Sequence, residues 1–378
     1  MKRISFFIIL SFFLSQICIN QELPGYSLTD APIVVDIDSV QSIPLNLSYI
    51  RYIPLETTSD CLIGRINKVL FRDDKIYVAD FYQTTALYVF DMNGKFLFKI
   101  SRMGKGPGEY ISFRDFDIQA NGDIYMFDHF GKKFIVFDPA GTYLQEFGVN
   151  YTFSHFCLVK DKMYWSILWE YNKMIANLAV YNKKEKKTEF LITDKKFLHE
   201  LNLLNYTSYR FYSSPNGMVY FSPKFSEIIY SIDSTGVHPA IGIKNLNIPP
   251  DHVIKEWGGK SPGSDSGIDS DNLYFKQNIH TYETDRYITF QCITETTVSS
   301  SIFLYDKNSH SICCSPFFRY YTDIGTNGIR GSTGKYFFSY FDPNLDNEYH
   351  LKIFKSREEL KEWKEEDNPV IVIFDLEI

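Results

Sequence analysis

The fold is decided by a stretch that reads KIYVAD at residues 75–80 and LYVFDMNGKFLFKI at residues 87–100. The same pattern returns as DIYMFD at 123–128 and FIVFDPAGTYLQEF at 134–147, which places equivalent aspartates 47 or 48 residues apart. Each copy holds three apolar or alternating runs, and DMNG or DPAG joins the last two, as in a tight hairpin. A further run precedes each copy, at 66–71 and 113–118. The pattern therefore predicts a four-stranded antiparallel unit.

The unit recurs along the rest of the chain. Its hairpin position returns in sequence order at Phe90, Phe137, Tyr181, Ile232 and Tyr305. A sixth unit fits the end of the chain, with strands predicted at 335–340, 349–354 and 370–376. Four-stranded units with a period of about 40 to 50 residues are typical of β-propellers. We predict an all-β protein, a single six-bladed β-propeller of four-stranded antiparallel blades over residues 49–378.

The ring can close in two ways. Either the run at 49–55 is the outermost strand of the last blade, or the run at 370–376 takes that position. Short helical insertions are predicted at 194–205 and 249–271. A C-terminal helix before the last strand is predicted to begin at Ser356, because Ser356 and Glu359 form a capping-box pattern.

The N-terminus has the pattern of an export signal. Lys2 and Arg3 precede an apolar run at 4–14 that is too short to span a bilayer, so residues 1–20 are predicted to be a signal peptide and 21–48 a lead-in segment. The protein is expected to be exported, to the periplasm or the outer membrane. Cys18 is a candidate for lipidation, but Ile17 is larger than the residue that usually precedes such a cysteine. Ordinary cleavage near this position is the alternative.

The amino-acid composition and net charge limit the classes of function that the protein can have. The chain has 33 Phe, 27 Tyr and 4 Trp, which favours packed β-sheets over disorder. Its net charge of −7 argues against nucleic acid as a partner. The cysteines after Cys18 lack metal-ligand spacing, and we interpret them as buried thiols.

Both ends of the chain resemble a known family. The residues that carry the resemblance are Tyr52–Thr58, Leu62–Gly64, Ile76–Asp80, Gly104–Tyr110 and Asn368–Ile373. They resemble NHL-like six-bladed β-propellers, exported proteins of the cell envelope of Gram-negative bacteria. The resemblance implies the fold and the compartment, and it implies no reaction.

Three motifs that suggest chemistry have simpler structural explanations. The loop at 104–110 is interpreted as a turn between blades, because no helix follows it to bind a phosphate. The GKSPG string at 259–263 lacks the strand before the serine that a hydrolase nucleophile needs. The aspartates at 265, 269 and 271 lack the ligand spacing of a calcium loop. No catalytic residue, metal site or cofactor is predicted.

Aromatic residues after the second strand of each blade are the candidate ligand-binding residues. They are, with one histidine, Tyr82, His129, Trp169, Tyr171, Phe225 and Tyr340. We expect them to lie on one face, where aromatic rings suit docking of an envelope protein or a glycan. The alternative functions are a hydrolase or lyase with a metal-assisted site in the central channel, and a sensor or assembly domain. Contact with a membrane is expected only through a lipid on Cys18.

Overall fold

A computed structural model of the chain describes residues 20–22, 26–150, 153–167, 178–192, 211–214, 217–223, 226–248, 250, 275–294, 301–316, 328–342 and 346–377. Several predictions fall outside these residues: the signal peptide with Cys18, the helix at 194–205 and the insertion after residue 250. Among the described helices, none is long and apolar enough to cross a membrane.

The chain begins with four strands and then builds five blades in succession. The first four strands are β1 (Asn20–Glu22), β2 (Ile33–Asp36), β3 (Gln41–Ser42) and β4 (Asn46–Pro54). Blade 1 consists of β5 (Lys68–Arg72), β6 (Lys75–Asp80), β7 (Ala86–Asp91) and β8 (Phe96–Ile100). Blade 2 consists of β9 (Phe113–Ile118), β10 (Ile124–Asp128), β11 (Lys133–Phe137) and β12 (Tyr143–Gly148).

The next three blades follow the same plan. Blade 3 consists of β13 (Phe153–Val159), β14 (Lys162–Ile167), β15 (Leu178–Asn182) and β16 (Lys187–Ile192). Blade 4 consists of β17 (Phe211–Ser213), β18 (Val219–Phe221), β19 (Ile228–Ile232) and β20 (Val237–Lys244). Blade 5 consists of β21 (Phe275–Glu283), β22 (Tyr287–Thr294), β23 (Ser301–Asp306) and β24 (Ile312–Pro316).

Blade 6 closes the ring with strands from both ends of the chain. From the inside outwards it consists of β25 (Gly331–Ser332), β26 (Phe337–Phe341), β27 (Val370–Glu377) and β4. Strand β4 runs antiparallel to β27, with Tyr52 opposite Val372. The first of the two predicted closures is therefore confirmed, and the six-bladed all-β fold is confirmed with it.

A buried asparagine fastens this closure. Asn368 donates from its amide nitrogen to the carbonyl oxygens of Glu56 and Cys61, at 2.7 and 2.8 Å. Its amide oxygen accepts the backbone N–H of Ile63 at 2.8 Å. One side chain thus joins the turn before the last strand to the loop that enters blade 1.

The C-terminal helix exists, but the prediction of its position was wrong. Helix α1 spans Glu348–Ser356, so the run at 349–354 is helical and does not form a strand. Asn347 caps its N-terminus by accepting the N–H of Tyr349 at 2.9 Å, while Ser356 ends the helix instead of starting it. Asn347 is a favourable N-cap residue, and burial of Ile353 and Phe354 stabilises the helix that follows it. The start of the predicted helix forms a short 3-10 turn, Glu358–Leu360, which has no side-chain cap.

The lead-in segment adds one strand to the outer edge of each of three blades, which the sequence did not predict. Strands β1, β2 and β3 pair in parallel with β16, β20 and β24, respectively. These partners are the fourth and outer strands of blades 3, 4 and 5. The segment thus runs along the outside of the ring before β4 enters blade 6. It covers sheet edges that would otherwise carry unpaired backbone groups.

The hydrophobic core of the described chain consists of six clusters, one at each boundary between neighbouring blades. Between blades 2 and 3, for example, Phe127 stacks on Phe153 with ring centroids 4.0 Å apart. The high aromatic content is therefore explained mainly by packing between blades.

Candidate functional site

One face of the ring carries both the loops that enter each blade and the loops that follow each second strand, and we call it the upper face. The two kinds of loop touch there, since the backbone N–H of His129 donates to the carbonyl oxygen of Ser112 at 3.1 Å. The innermost strands β5, β9, β13, β17, β21 and β25 surround the central channel, whose upper end opens on this face.

Asp80, the last residue of β6, holds two loops of the upper face together. Its carboxylate is fully buried and accepts hydrogen bonds of 2.9 to 3.1 Å. The donors are the backbone N–H groups of Gly64, Arg65, Tyr82, Gln83 and Thr84 and the Thr84 hydroxyl. Burial alone would raise the pKa of Asp80, but the N–H groups of Gln83, Thr84 and Tyr82 outweigh it and lower this pKa.

Asp128 does the same in blade 2, as the repeat predicts. It is fully buried and accepts the backbone N–H groups of Ile111, Ser112 and Gly131 at 2.9 to 3.0 Å. Residue 131 has to be glycine here, because a Cβ atom would lie 2.0 Å from the carboxylate oxygen of Asp128. The repeated aspartates are therefore structural clamps that fix the loops carrying the candidate aromatic residues.

Two aromatic side chains project from these clamped loops. Tyr82 is 61% exposed and Phe130 is 64% exposed, whereas the neighbouring Phe81 is buried against Phe113. The guanidinium of Arg114, the second residue of β9, lies over the ring of Tyr82 at 4.7 Å from its centroid. We call Tyr82, Arg114, His129 and Phe130 the blade 1–2 patch.

His129 is a neutral member of this patch. Its ring contacts Phe127 and Phe130 edge to face, with centroids 6.0 and 5.3 Å apart. Burial lowers the pKa of His129, and the positive charge of Arg114 lowers it further. It can therefore offer a hydrogen bond to a ligand near neutral pH without adding charge.

Tyr340 lies within β26, so the prediction that it follows the second strand of blade 6 was wrong. Pairing of Tyr340 with Ile371 and of Phe341 with Val370 extends the strand to this point. Tyr340 is partly buried between blades 6 and 1. The guanidinium of Arg330, which directly precedes β25, lies 5.9 Å from its ring centroid.

The other candidates cannot be placed. Trp169, Tyr171 and Phe225 lie outside the described residues. Arg114, which lies over Tyr82 and is near enough to His129 to lower its pKa, links these two candidates, and Tyr340 lies at the boundary between blades 6 and 1.

The channel wall holds a buried charged group that the sequence did not reveal. Lys68 of β5 donates to a carboxylate oxygen of Asp115 at 2.7 Å and to the carbonyl oxygen of Phe116 at 2.6 Å. The other oxygen of Asp115 accepts the backbone N–H of Phe156 at 3.0 Å and lies 3.6 Å from Nδ1 of His155. Burial raises the pKa of Asp115, but Lys68 and His155 outweigh it, so the pKa lies below its usual range. This group joins the inner strands of blades 1, 2 and 3.

Asp117, two residues further along β9, forms a second connection between inner strands. Its carboxylate accepts the backbone N–H of Leu158 at 2.7 Å and that of Ile118 at 2.8 Å. Burial raises the pKa of Asp117 despite the opposing charge of Lys68. The donors around Asp115 and Asp117 occupy their oxygens, so the wall is organised to hold strands together.

On the other side of the channel, His280 sits on a β-bulge of β21. The pairing with β22 shifts between Ile279 and Tyr282, and His280 has a φ of +54°. Its Nδ1 lies 3.2 Å from the hydroxyl of Tyr282. Burial, with a contribution from Arg330, lowers the pKa of His280 to about 3. Bulges often redirect side chains beside functional sites. A histidine whose backbone lies in the left-handed region cannot be recognised from the sequence alone.

The described side chains provide no evidence for a metal site or a reactive thiol. Within the described ranges, no three His, Cys, Asp or Glu side chains come together in a way that could hold a metal ion. The placed cysteines are free thiols, and burial raises the pKa of Cys61 to about 12 and that of Cys313 to about 11.

The glycine-rich loop between blades 1 and 2 is a closed turn. Glu109 accepts the backbone N–H of Gly106 at 2.7 Å, so a carboxylate of the loop itself already binds this N–H group. Gly108, with a φ of +72°, packs beside Tyr143.

Comparison with known proteins identifies relatives of the whole domain. The profile of a family described as "Domain of unknown function (DUF4934)" matches residues 32–375. A search of the curated proteins finds no match.

Two crystal structures from Bacteroides share the fold. One is a candidate exported protein of Bacteroides fragilis, 20% identical, with a TM-score of 0.70 over 92% of this chain and 99% of that chain. The other is a DUF4221 family member from Bacteroides vulgatus, 10% identical, with a TM-score of 0.54 over 90% of this chain and 99% of that chain. At these identities the likeness supports the propeller architecture.

Proposed function

Because the chain belongs to the DUF4934 family, whose function is unknown, we propose from its own geometry that it is a binding module that recognises an envelope protein or glycan across its upper face. The blade 1–2 patch is the proposed contact surface. The observation that carries the proposal is the exposure of Tyr82 and Phe130 on loops that two buried carboxylates hold rigid.

The exposure of Tyr82 and Phe130 supports a binding role because their loops are held in fixed conformations. Isolated apolar residues are common on protein surfaces, and their exposure alone does not indicate a binding site. Here Asp80 and Asp128 hold the two loops through buried hydrogen bonds, so the rings keep their positions before a ligand arrives. A preorganised aromatic surface loses little conformational entropy on binding.

Within this proposal, flat and exposed aromatic rings beside a guanidinium favour a glycan over a protein as the ligand. A sugar ring stacks on an aromatic face while its hydroxyls take hydrogen bonds from neighbouring donors. Tyr82 and Phe130 supply the faces, and Arg114 and neutral His129 supply polar groups beside them.

We place the protein outside the cytoplasm, in the periplasm or at the outer membrane, and we regard its repeats as NHL-like. The support is the signal-like N-terminus together with the match to a candidate exported protein of the same fold. Lipidation of Cys18 belongs to the same proposal. Mass spectrometry of the mature protein and of Cys18→Ala tests it, and an N-terminus without lipid would contradict it.

The binding proposal is tested on an immobilised panel of neutral and acidic oligosaccharides, alongside cross-linking to envelope proteins. The test variant is Tyr82→Ala/Phe130→Ala. The matched control is Leu97→Ala/Leu144→Ala, which removes two side chains of similar exposure, 44% and 50%, from the outer strands β8 and β12.

We expect the test variant to lose binding by about ten-fold or more, since two exposed stacking side chains contribute roughly 1 to 3 kcal/mol. The control should bind like the unaltered protein. Equal binding by all three proteins would move the site away from the upper face of blades 1 and 2. Absence of binding to every oligosaccharide and every envelope protein would contradict the function.

A further inference from the structure

We infer that the outer edge of blade 1 binds an extended, acidic segment of a partner protein by β-strand addition. The surface consists of the outward backbone groups of β8 over Phe98–Ile100 and the cations beside them, Lys95, Lys99 and Arg102, and we call it the blade 1 edge. Because β8 is the outermost strand of its sheet, this surface lies away from the channel. The inference is independent of the ligand that the blade 1–2 patch binds.

The chain itself adds strands to the outer edges of three blades. Strands β1, β2 and β3 pair in parallel with the fourth strands of blades 3, 4 and 5. Blades 6, 1 and 2 receive no such strand from the described part of the chain, so their sheets end on β4, β8 and β12. Parallel strand addition, a common mode of peptide recognition, is therefore already used by this fold at the position that is open in blade 1.

Lys99 of β8 lies at the position where blade 5 receives its added strand. Cys314 of β24 lies opposite Phe303, and Lys99 lies opposite Tyr88, at the same step of the repeat. The carbonyl oxygen of Cys314 accepts the backbone N–H of Ile43, directly after β3, at 2.8 Å. Since alternate residues of an edge strand direct their backbone groups outwards, the equivalent groups of Lys99 face outwards as well. They are the groups with which an added strand would pair.

The bulge in β8 does not prevent this pairing. A bulge and a lysine on an edge strand usually discourage the addition of another strand. In β8 the register with β7 shifts between Val89 and Phe90, but the pairing is regular from Phe98 to Ile100. The outer strand β20 also has a bulge, and β2 pairs with the stretch directly beyond it, from Ile241 to Lys244.

Positive charge determines which segment fits the blade 1 edge. Lys95, Lys99 and Arg102 lie just before, within and shortly after β8, and all three are exposed. None of them forms an ion pair with a residue in the described part of the chain. Two neighbouring carboxylates, Glu56 and Asp91, accept backbone N–H groups at 2.7 and 2.9 Å. Charge complementarity therefore favours a segment that carries acidic side chains.

Strand β2 provides an example of such a segment. Its apolar residues Ile33–Val35 are followed by Asp36, which lies opposite Lys244 of β20. An acidic side chain on a strand added to β8 would meet Lys99 in the same way. The ammonium of Lys99 donates to the carbonyl oxygen of Asp60 at 2.7 Å and to no carboxylate of the described residues. A partner segment that combines apolar and acidic residues, as β2 does, suits this edge.

The experiment measures binding of dye-labelled peptides to the full protein by fluorescence anisotropy at about 50 mM salt, where charge pairs are weakly screened. One probe has the sequence of residues 31–40, APIVVDIDSV, and the second is a peptide of equal length that alternates valine and glutamate. The first control peptide is the 31–40 peptide with Asp36→Lys and Asp38→Lys. The second is the 31–40 peptide with alternate amides N-methylated, which removes backbone donors.

Two variants alter the blade 1 edge. Lys99→Pro removes an outward N–H group, a change that an edge strand tolerates, and Lys99→Glu reverses the charge. The matched control is Lys186→Glu, which reverses the charge of an exposed lysine in the hairpin of blade 3, where β1 already pairs with the outer strand. Tyr82→Ala/Phe130→Ala tests whether the peptides bind the blade 1–2 patch.

We expect both acidic peptides to bind, and each control peptide to bind at least about ten-fold more weakly. Lys99→Pro and Lys99→Glu should each weaken the acidic peptides by about ten-fold or more, and Lys99→Glu should bind the lysine-substituted peptide more tightly than the unaltered protein does. Lys186→Glu and Tyr82→Ala/Phe130→Ala should change affinity by less than about two-fold. On addition of an acidic peptide, amide hydrogen exchange should slow in β8.

The inference is overturned if neither acidic peptide binds, if the N-methylated peptide binds as tightly as its parent, or if both Lys99 variants bind unchanged. Slower exchange in β12 or β4 instead of β8 would overturn it, since the peptide would then occupy another edge. Loss of peptide binding in Tyr82→Ala/Phe130→Ala would move the peptide to the upper face and overturn it too. Dimers that form through β8 without peptide would make a second copy the occupant in place of a partner protein.

Discussion

The channel wall and the blade 1–2 patch of the same propeller use charged residues in opposite ways. In the wall, Lys68 and Asp115 are 2.7 Å apart, and Asp115 is fully buried with further donors around it. In the blade 1–2 patch, Arg114 lies over the ring of Tyr82 and forms no ion pair with any described residue. The difference indicates that the wall charges stabilise the ring, while the charge of Arg114 remains available to a ligand.

Physical chemistry explains why the two regions have to differ. A buried charge is tolerated when partners surround it, and removing one partner leaves the other desolvated and uncompensated. A half-buried arginine at the surface, such as Arg114, keeps part of its hydration until a ligand replaces the water, so its removal costs little stability. Stability and binding measurements should therefore separate the two regions.

The largest effect is expected from Asp115→Asn. This change leaves the ammonium of Lys68, whose side chain is only 17% exposed, without its carboxylate. The free energy of unfolding should fall by about 3 to 5 kcal/mol, as when one partner of a buried ion pair is removed. Urea denaturation measures it.

The matched control for Asp115→Asn is Glu146→Gln. Glu146 also pairs with a lysine, Lys133, at 2.9 Å, but it lies on the outer strand β12 and is 30% exposed. Its removal should cost less than about 1 kcal/mol. Equal losses in the two variants would show that the wall charges have no special role in stability.

A smaller loss is expected from Asp80→Asn, which alters the clamp that holds the loop of Tyr82. The amide keeps one acceptor oxygen but presents N–H groups to backbone donors, so several buried hydrogen bonds are lost. We expect about 1 to 3 kcal/mol of destabilisation and weaker binding, because the loops that carry Arg65 and Tyr82 are released. Unchanged binding in a folded variant would separate the clamp from the site.

The same clamp predicts a dependence of stability on pH. The folded-state pKa of Asp80 is lowered, so its contribution is complete above the unfolded pKa of about 3.9 and is lost as pH falls through the lower folded value. The difference in free energy of unfolding between the unaltered protein and Asp80→Asn should shrink from pH 6 to pH 3. A difference that grows as the pH falls would contradict the lowered pKa.

The sequence predicted the fold because a repeat is visible without any tertiary information. Asp80 and Asp128 recur at the end of equivalent strands, and the DMNG and DPAG turns form the expected hairpins, with Gly94 and Gly141 at φ of +81° and +83°. The parallel strands β2 and β3 escaped prediction because their partners, β20 and β24, are distant in sequence. The helix at Glu348–Ser356 was misplaced because short apolar runs fit a strand or a helix equally well.

The site was predicted only in part for a related reason. The position of Tyr82 after a second strand is a local property, and it correctly indicated an upper-face loop. The placement of Tyr340 failed because strand length depends on the partner β27. Arg114 was missed because its place over the ring of Tyr82 depends on how blade 2 packs against blade 1. The bulge at His280 leaves no sequence signal of its own.

The most direct test of the account is a paired measurement on Arg114→Gln, its free energy of unfolding and its binding to the panel of oligosaccharides and envelope proteins. The account predicts a stability change of about 1 kcal/mol or less, the contribution of a cation–π contact at the protein surface, together with an affinity at least about ten-fold weaker. An Arg114→Gln protein that binds its ligand as tightly as the unaltered protein, or that is destabilised as much as Asp115→Asn, would contradict the division between a structural wall and a binding patch.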